Sequence, residues 1–162
     1  MSEVVYVGLG SNLGDRHRNL RAAIDALGRI DAVTVEQVSA FYDTAPVGPE
    51  QPRYLNAVVE MSCALSPMQL FSILKRIEVE VGRTPGPKWG PRVLDMDILL
   101  WGERVVAEPA LQIPHVEMHR RRFVLEPLAE IAPHARHPLL ALTASEMLAQ
   151  VVAQDGAPWE AA

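Results

Sequence analysis

Apolar residues recur along this chain with two different spacings, and the switches between them mark its elements. Residues 3–9 (Glu3-Val-Val-Tyr-Val-Gly-Leu9) read as a first strand, and Gly10-Ser-Asn-Leu-Gly14 as the turn after it. From Asp15 to Arg29 the period lengthens. Leu20, Ile24, Leu27 and Ile30 stand four, three and three apart, which predicts a helix with one apolar stripe. Asp15 falls in its first turn, where the helix dipole favours a negative charge. Residues 33–42 read as a second strand, and 43–53, with three prolines and a glycine, as a loop. Tyr54 to Leu65 reads as a third strand. Ser66-Pro67-Met68-Gln69 is a helix start: Ser66 can cap, Pro67 suits the first helical position and Gln69 completes a capping box. Leu70, Leu74, Ile77 and Val81 share one face of that helix, which stops at Gly82.

Residues 83–92, rich in proline, glycine and cations, form a loop. Leu94 to Trp101 reads as a fourth strand, turning at Gly102-Glu103 into a short return strand. After Pro114 come a short polar helix and another around Glu126–Ile131. Thr143-Ala-Ser-Glu146 is a second capping box, opening a terminal helix before a loose tail at about 154–162. The order βαββαβ, with strands two and three paired across the 43–53 loop, predicts the ferredoxin-like plan. That is an α+β fold: an antiparallel sheet with helices on one face, and extra helices appended. With 162 residues and no linker or repeat, the chain is read as a single domain.

Composition narrows the function. A net charge of −5 argues against a protein that grips a nucleic-acid backbone, yet leaves room for a local cationic pocket. The single cysteine, Cys63, cannot form an intrachain disulfide and sits in a strand-like apolar run. Glu3 stands where a signal peptide would carry positive charge, and no apolar run approaches the roughly 20 residues of a membrane span. The expected address is the cytoplasm.

Two familiar loops are not met. After Gly8 and Gly10 a dinucleotide fingerprint needs a glycine where Leu13 stands, and no Gly-Lys-Ser/Thr follows for a P-loop. A tight turn explains these glycines equally well. His115 and His119 have zinc-like spacing but no third ligand at a recognisable distance.

The informative stretch is Lys88-Trp-Gly-Pro-Arg-Val-Leu-Asp-Met-Asp-Ile-Leu99. Residues two apart in a strand face the same side, so Asp95 and Asp97 stand together beside an apolar run. Two adjacent carboxylates repel and lose solvation, costs that a divalent cation relieves. Spacing alone fits a solvated strand end as well. Arg83, Lys88 and Arg92, with a second cluster of His115, Arg120, Arg121 and Arg122, turn the balance toward phosphoryl transfer.

The run Gly90-Pro91-Arg92-x-x-Asp95-x-Asp97-Ile98-Leu99 closely resembles the signature of 6-hydroxymethyl-7,8-dihydropterin pyrophosphokinases. The resemblance extends from Gly10-Ser-Asn-Leu-Gly14 through Ser39-x-Phe-Tyr-x-Thr44, Gly48-Pro49, Tyr54-Leu-Asn56-Ala57, Ile77-Glu78 and Gly82-Arg83. It continues to Pro114-His115, Arg121-x-Phe123-Val-Leu-x-Pro-Leu128 and Ile131-Ala-Pro133. It implies diphosphate transfer from ATP to the pterin's hydroxymethyl group in folate synthesis, with two Mg2+ ions held by Asp95 and Asp97. It implies ATP contacts from Glu78, Arg83, Trp89, Arg92, Ile98, His115 and Arg121. Of these, Arg83, Arg92, His115 and Arg121 join the two aspartates as catalytic. The pterin would be stacked by Tyr54 and Phe123, read at its edge by Asn56, flanked by Thr44 and Val47, and covered by Trp89. The family tendency is a monomer or weak dimer.

The chain departs from the common pattern at Ala45-Pro46, Val116, Ala110 and the short Thr84–Lys88 segment. Two other readings stay open: a non-catalytic ferredoxin-like ligand-binding module that regulates a partner, and the same metal logic applied to another acceptor alcohol.

Overall fold

The computed structural model describes residues 2–46, 49–88 and 90–155. β1 (Glu3–Ser11) leads into α1 (Arg16–Gly28), then β2 (Val33–Val38), β3 (Tyr42–Thr44) and β4 (Tyr54–Cys63). α2 (Pro67–Val81) precedes β5 (Asp95–Trp101), and the sheet order is β2-β4-β1-β5 with β3 also on β4. Every pairing in this sheet is antiparallel. Counting β2 and β3 as one broken strand, this is the ferredoxin-like order.

Local chemistry sets the boundaries. Asp15 is the N-cap of α1 rather than a first-turn residue: its carboxylate accepts from the Arg18 backbone N–H. At α2 the predicted capping box is present in both directions, Ser66 accepting from Gln69 N and Gln69 accepting from Ser66 N. Gly82 ends α2 at φ +128, where an L side chain would be strained. The expected strand over 33–42 is broken at 39–41. There the Ser39 hydroxyl, not a backbone carbonyl, accepts the Val58 N–H, and the ladder restarts at Tyr42.

β4 shows how the sheet divides two cores. Ala57, Val59, Met61 and Cys63 face α1 and α2, packing with Leu20, Leu27, Leu70, Leu74 and Ile77. Val58 faces the other way, into a cluster with Leu99, Leu125, Leu128 and Met147. That cluster belongs to α3 (Arg122–Ile131) and α4 (Ala144–Asp155), so the appended helices cover the second face and the expectation of helices on one face is corrected. Each fully buried leucine contributes about 2 kcal/mol of transfer free energy.

The short segment after Gly102 is not a return strand on β5. β6 (Val106–Glu108) pairs with β7 (Leu111–Ile113) as a separate ribbon. β8 (Arg136–His137) and β9 (Leu142–Thr143) form a second small ribbon before α4. The helix expected around Glu126 begins earlier, at Arg122, with Arg121 as its N-cap residue. The capping box of α4 is formed by Thr143 and Glu146. Among the described residues no helix is long and apolar enough to cross a membrane.

Candidate active site

The α3/α4 face of the sheet is not wholly covered. Beyond the helices a cleft of about 280 Å³ opens over β4, β1 and β5. Its floor is bare backbone, because Gly8 and Gly10 sit on the central strand facing it. Gly10 pairs with Asn56 on one side and Asp95 on the other, and Gly8 with Val58 and Asp97. Gly10 is therefore a strand residue, not the expected turn, while Gly8 lies within the strand expected over 3–9. A Cβ on Gly10 would lie 3.0 Å from Asn56 Oδ1 and 3.5 Å from the Tyr54 ring. The missing side chains leave room for a flat ligand across three strands.

On the β5 side Asp95 and Asp97 project together into the cleft, as their spacing requires. Arg83 Nη1 donates to Asp95 Oδ1 at 2.9 Å. Burial, and then the charge of Asp95, push the Asp97 carboxyl up to about 7. Asp97 still has 35% of its side chain exposed, so it is desolvated by its surroundings yet reachable from the cleft. His115 Nε2 lies 4.0 Å from Asp97 Oδ2. Burial, and then the Arg121 cation, pull His115 down to about 4, so it is neutral near pH 7 and the contact is not an ion pair. Its Nδ1 accepts from the Glu117 backbone N–H, which leaves the proton on Nε2, facing the carboxylate. Two crowded carboxylates, one of them pushed up by burial and by its neighbour's charge, form an all-oxygen donor set. That set fits a hard divalent cation.

On the β4 side the buried Asn56 donates from Nδ2 to Thr44 Oγ1 at 2.6 Å. Tyr54 and Phe123 line the same half, and the Tyr54 hydroxyl donates to Gly90 O at 3.4 Å. Burial, and then Asp95, raise the Tyr54 phenol. Arg121 stands 5.6 Å over the Phe123 ring, joining the aromatic half to the charged one.

A sequence profile of 7,8-dihydro-6-hydroxymethylpterin-pyrophosphokinase (HPPK) matches residues 6–133. The chain belongs to the HPPK family. It is 45% identical over 139 residues to the 2-amino-4-hydroxy-6-hydroxymethyldihydropteridine pyrophosphokinase of Pseudomonas aeruginosa, covering 85% of this chain and 86% of that one. To the Bacillus subtilis protein of the same name it is 46% identical over 132 residues, covering 81% of this chain and 79% of that one. The wild-type HPPK-DHPS structure of Plasmodium falciparum superposes with a TM-score of 0.74 at 13% identity, over 95% of this chain. This chain spans only 45% of that longer one, and the likeness shows a shared fold.

In this HPPK chain the cleft gathers Thr44, Tyr54, Asn56, Arg83, Arg92, Asp95, Asp97, His115, Arg121 and Phe123 from the expected residues. Two residues expected to contact the nucleotide do not line the cleft. Ile98 packs into the core under α1 and α2, because strand alternation turns it away from Asp97. Glu78 is 2% exposed, and its oxygens are taken up by Arg83, Lys75 and the Met96 backbone. Val47 and Trp89 lie outside the described residues.

Asn12 had no expected role beyond its motif. Buried at the end of β1, it donates from Nδ2 to Gln51 Oε1 at 2.8 Å and to Pro52 O at 2.9 Å. Its Oδ1 accepts from Arg92 N at 2.8 Å, and its own N donates to Arg92 O at 3.0 Å. One side chain thus staples the 43–53 loop to the 83–92 loop. The only sequence signal was its place in Gly10-Ser-Asn-Leu-Gly14.

Proposed function

We infer that the chain transfers the terminal diphosphate of ATP to the hydroxymethyl group of 6-hydroxymethyl-7,8-dihydropterin, giving AMP and the pterin diphosphate in tetrahydrofolate synthesis. One observation carries the reading. A carboxylate and cation half and an amide and aromatic half face the same cleft, on either side of a glycine strand.

Two strand spacings, roughly 10 Å, separate Asn56 from Asp95 across Gly10. A pterin seated over Asn56, with Tyr54 and Phe123 against its faces, points its hydroxymethyl arm toward the aspartates. Stacking suits a flat heterocycle. The Asn56 amide can both donate and accept at its edge, and the hydrogen bond to Thr44 fixes which way it points. Asp95 and Asp97 would hold two Mg2+ ions, which when bound neutralise phosphate charge and lower the cost of deprotonating the attacking hydroxyl. Arg83, Arg92 and Arg121 line the same half, where guanidinium groups suit bidentate contact with phosphate oxygens. Neutral His115, with its proton on Nε2, adds a donor without adding charge. The hydroxymethyl oxygen attacks the β-phosphorus and gives up its proton to solvent, the bond from that phosphorus to the oxygen shared with the α-phosphorus breaks, and AMP leaves with that oxygen. Positioning and charge neutralisation supply most of the acceleration.

The net charge of −5, with cations gathered at the cleft, favours a small polyphosphate over nucleic acid. The same reading takes residues 1–162 as one catalytic unit, a monomer or weak dimer, working in the cytoplasm. Mass analysis of a reaction holding the chain, ATP, Mg2+ and the dihydropterin tests it. AMP and pterin diphosphate are expected in equal amounts. ADP with a pterin monophosphate would contradict diphosphate transfer. No turnover by a folded, ATP-binding chain would favour the regulatory module.

A further inference from the structure

β5 ends the sheet order, so one of its edges has no strand beside it among the described residues. That edge belongs to the strand that carries Asp95 and Asp97. An unpaired edge leaves backbone N–H and C=O groups without partners and the strand free to shift. Here α2 supplies what a neighbouring strand would. Glu78 Oε2 accepts the Met96 N–H at 2.7 Å, and Lys75 Nζ donates to Met96 O at 3.4 Å. One residue's two edge bonds are thus made by two side chains of one helix, three positions apart. Lys75 Nζ also donates to Glu78 Oε2 at 3.1 Å, closing the triangle. Met96 lies between the two aspartates.

Glu78 reaches the site by a second route. Its Oε1 accepts from Arg83 Nη1 at 2.8 Å, and the same Nη1 donates to Asp95 Oδ1. A carboxylate 2% exposed therefore holds both the backbone between the aspartates and the cation on the first of them. α2 is itself anchored by its capping box and by Leu70, Leu74 and Ile77 in the core.

We propose that Lys75 and Glu78 are positioning residues, an edge clamp that fixes the separation and aim of the Asp95/Asp97 pair for divalent cations. The clamp rests on reading that pair as metal-holding. Glutamine at position 78 offers one acceptor oxygen where glutamate offers two, so either Met96 N–H or Arg83 Nη1 loses its bond to that side chain. Groups behind metal ligands, when altered, cost roughly 10- to 100-fold in metal affinity.

The test uses the full chain, Glu78→Gln and Lys75→Met. Melting curves report folding, amide exchange at Met96 is followed by NMR without metal, and Mn2+ binding to the chain alone is followed by electron paramagnetic resonance. Met96 exchange at least about tenfold faster in both variants, with Mn2+ binding at least about tenfold weaker in Glu78→Gln, is expected. Unchanged exchange and Mn2+ affinity in folded variants would overturn the clamp. So would weaker ATP binding in EDTA with Mn2+ binding intact, since that marks a direct nucleotide contact. Should Glu78→Gln not fold, Met96 exchange in Lys75→Met, whose side chain is 39% exposed, decides alone. Absence of Mn2+ binding by the unsubstituted chain would sink the metal reading and the clamp with it. Equal binding by all three chains would sink the clamp only.

Discussion

Gly10→Ala places one methyl group in the floor of the cleft. Gly10 is not among the described glycines with positive φ, which are Gly14, Gly82 and Gly102, so alanine meets no backbone penalty there. The effect is steric and points one way. The new Cβ stands 3.0 Å from Asn56 Oδ1, which must retreat by a few tenths of an ångström. Asn56 has little freedom to do so, because its Nδ2 is bound to the buried Thr44 hydroxyl at 2.6 Å. Overpacking of this kind costs about 1–3 kcal/mol, and a misaligned neutral hydrogen bond about 1 kcal/mol. Pterin affinity should therefore fall about tenfold, the equivalent of about 1.4 kcal/mol. ATP affinity should change by less than about twofold, because the altered side is the amide half. Calorimetric titration with each ligand, beside a melting curve, reads all three quantities. Gly8→Ala is the comparison: its Cβ would come nearest the Leu99 side chain, at 3.4 Å, an ordinary van der Waals distance, and should cost less. Equal loss of both ligands, or unchanged pterin affinity, would refute the division of the cleft along β1.

Other expectations follow from the same contacts. Asn12→Ala removes the staple between the two loops and should raise KM for both substrates, with faster proteolysis at 49–53 and 83–92. Intact loops and unchanged KM values would contradict the staple. In the metal-free protein Asp97, raised to about 7, makes stability fall as pH rises from about 4 to 7, since the native state there holds the extra proton. His115, lowered to about 4, acts oppositely, and its contribution grows as pH rises from about 4 to 6.5. Asp97→Asn should therefore leave stability rising across that window in denaturant titrations at pH 4, 5.5 and 7, and a falling profile would reverse the assignment. Ser66→Ala should cost about 1 kcal/mol through the lost cap of α2, seen as a lower Tm with kcat unchanged.

What the sequence showed depended on how far each interaction reaches. Ser66 and Gln69 bond within one helical turn, so their capping box was readable from the letters alone. The shared face of Asp95 and Asp97 was readable because strand geometry fixes it locally. Gly10 was misread as a turn residue because glycine usually marks a turn, and the role of Gly8 within its strand went unseen. Only their pairing with β4 and β5, about 50 and 90 positions away, makes them the floor of a cleft. Asn12 bonds to residues 39 to 80 positions distant, beyond any local pattern. Glu78 looked like a solvated or nucleotide-facing acid on a helix. The edge of β5, which that acid covers, exists only in the assembled sheet.

The central claim is that Asp95 and Asp97 form the centre at which diphosphate passes to a pterin. The most direct measurement is AMP formation from ATP and Mg2+, with and without 6-hydroxymethyl-7,8-dihydropterin, for the unsubstituted chain and for Asp97→Ala. Pterin-dependent AMP, reduced by orders of magnitude in a folded Asp97→Ala that still binds the pterin, is the predicted result. Undiminished pterin-dependent AMP from Asp97→Ala would contradict the claim.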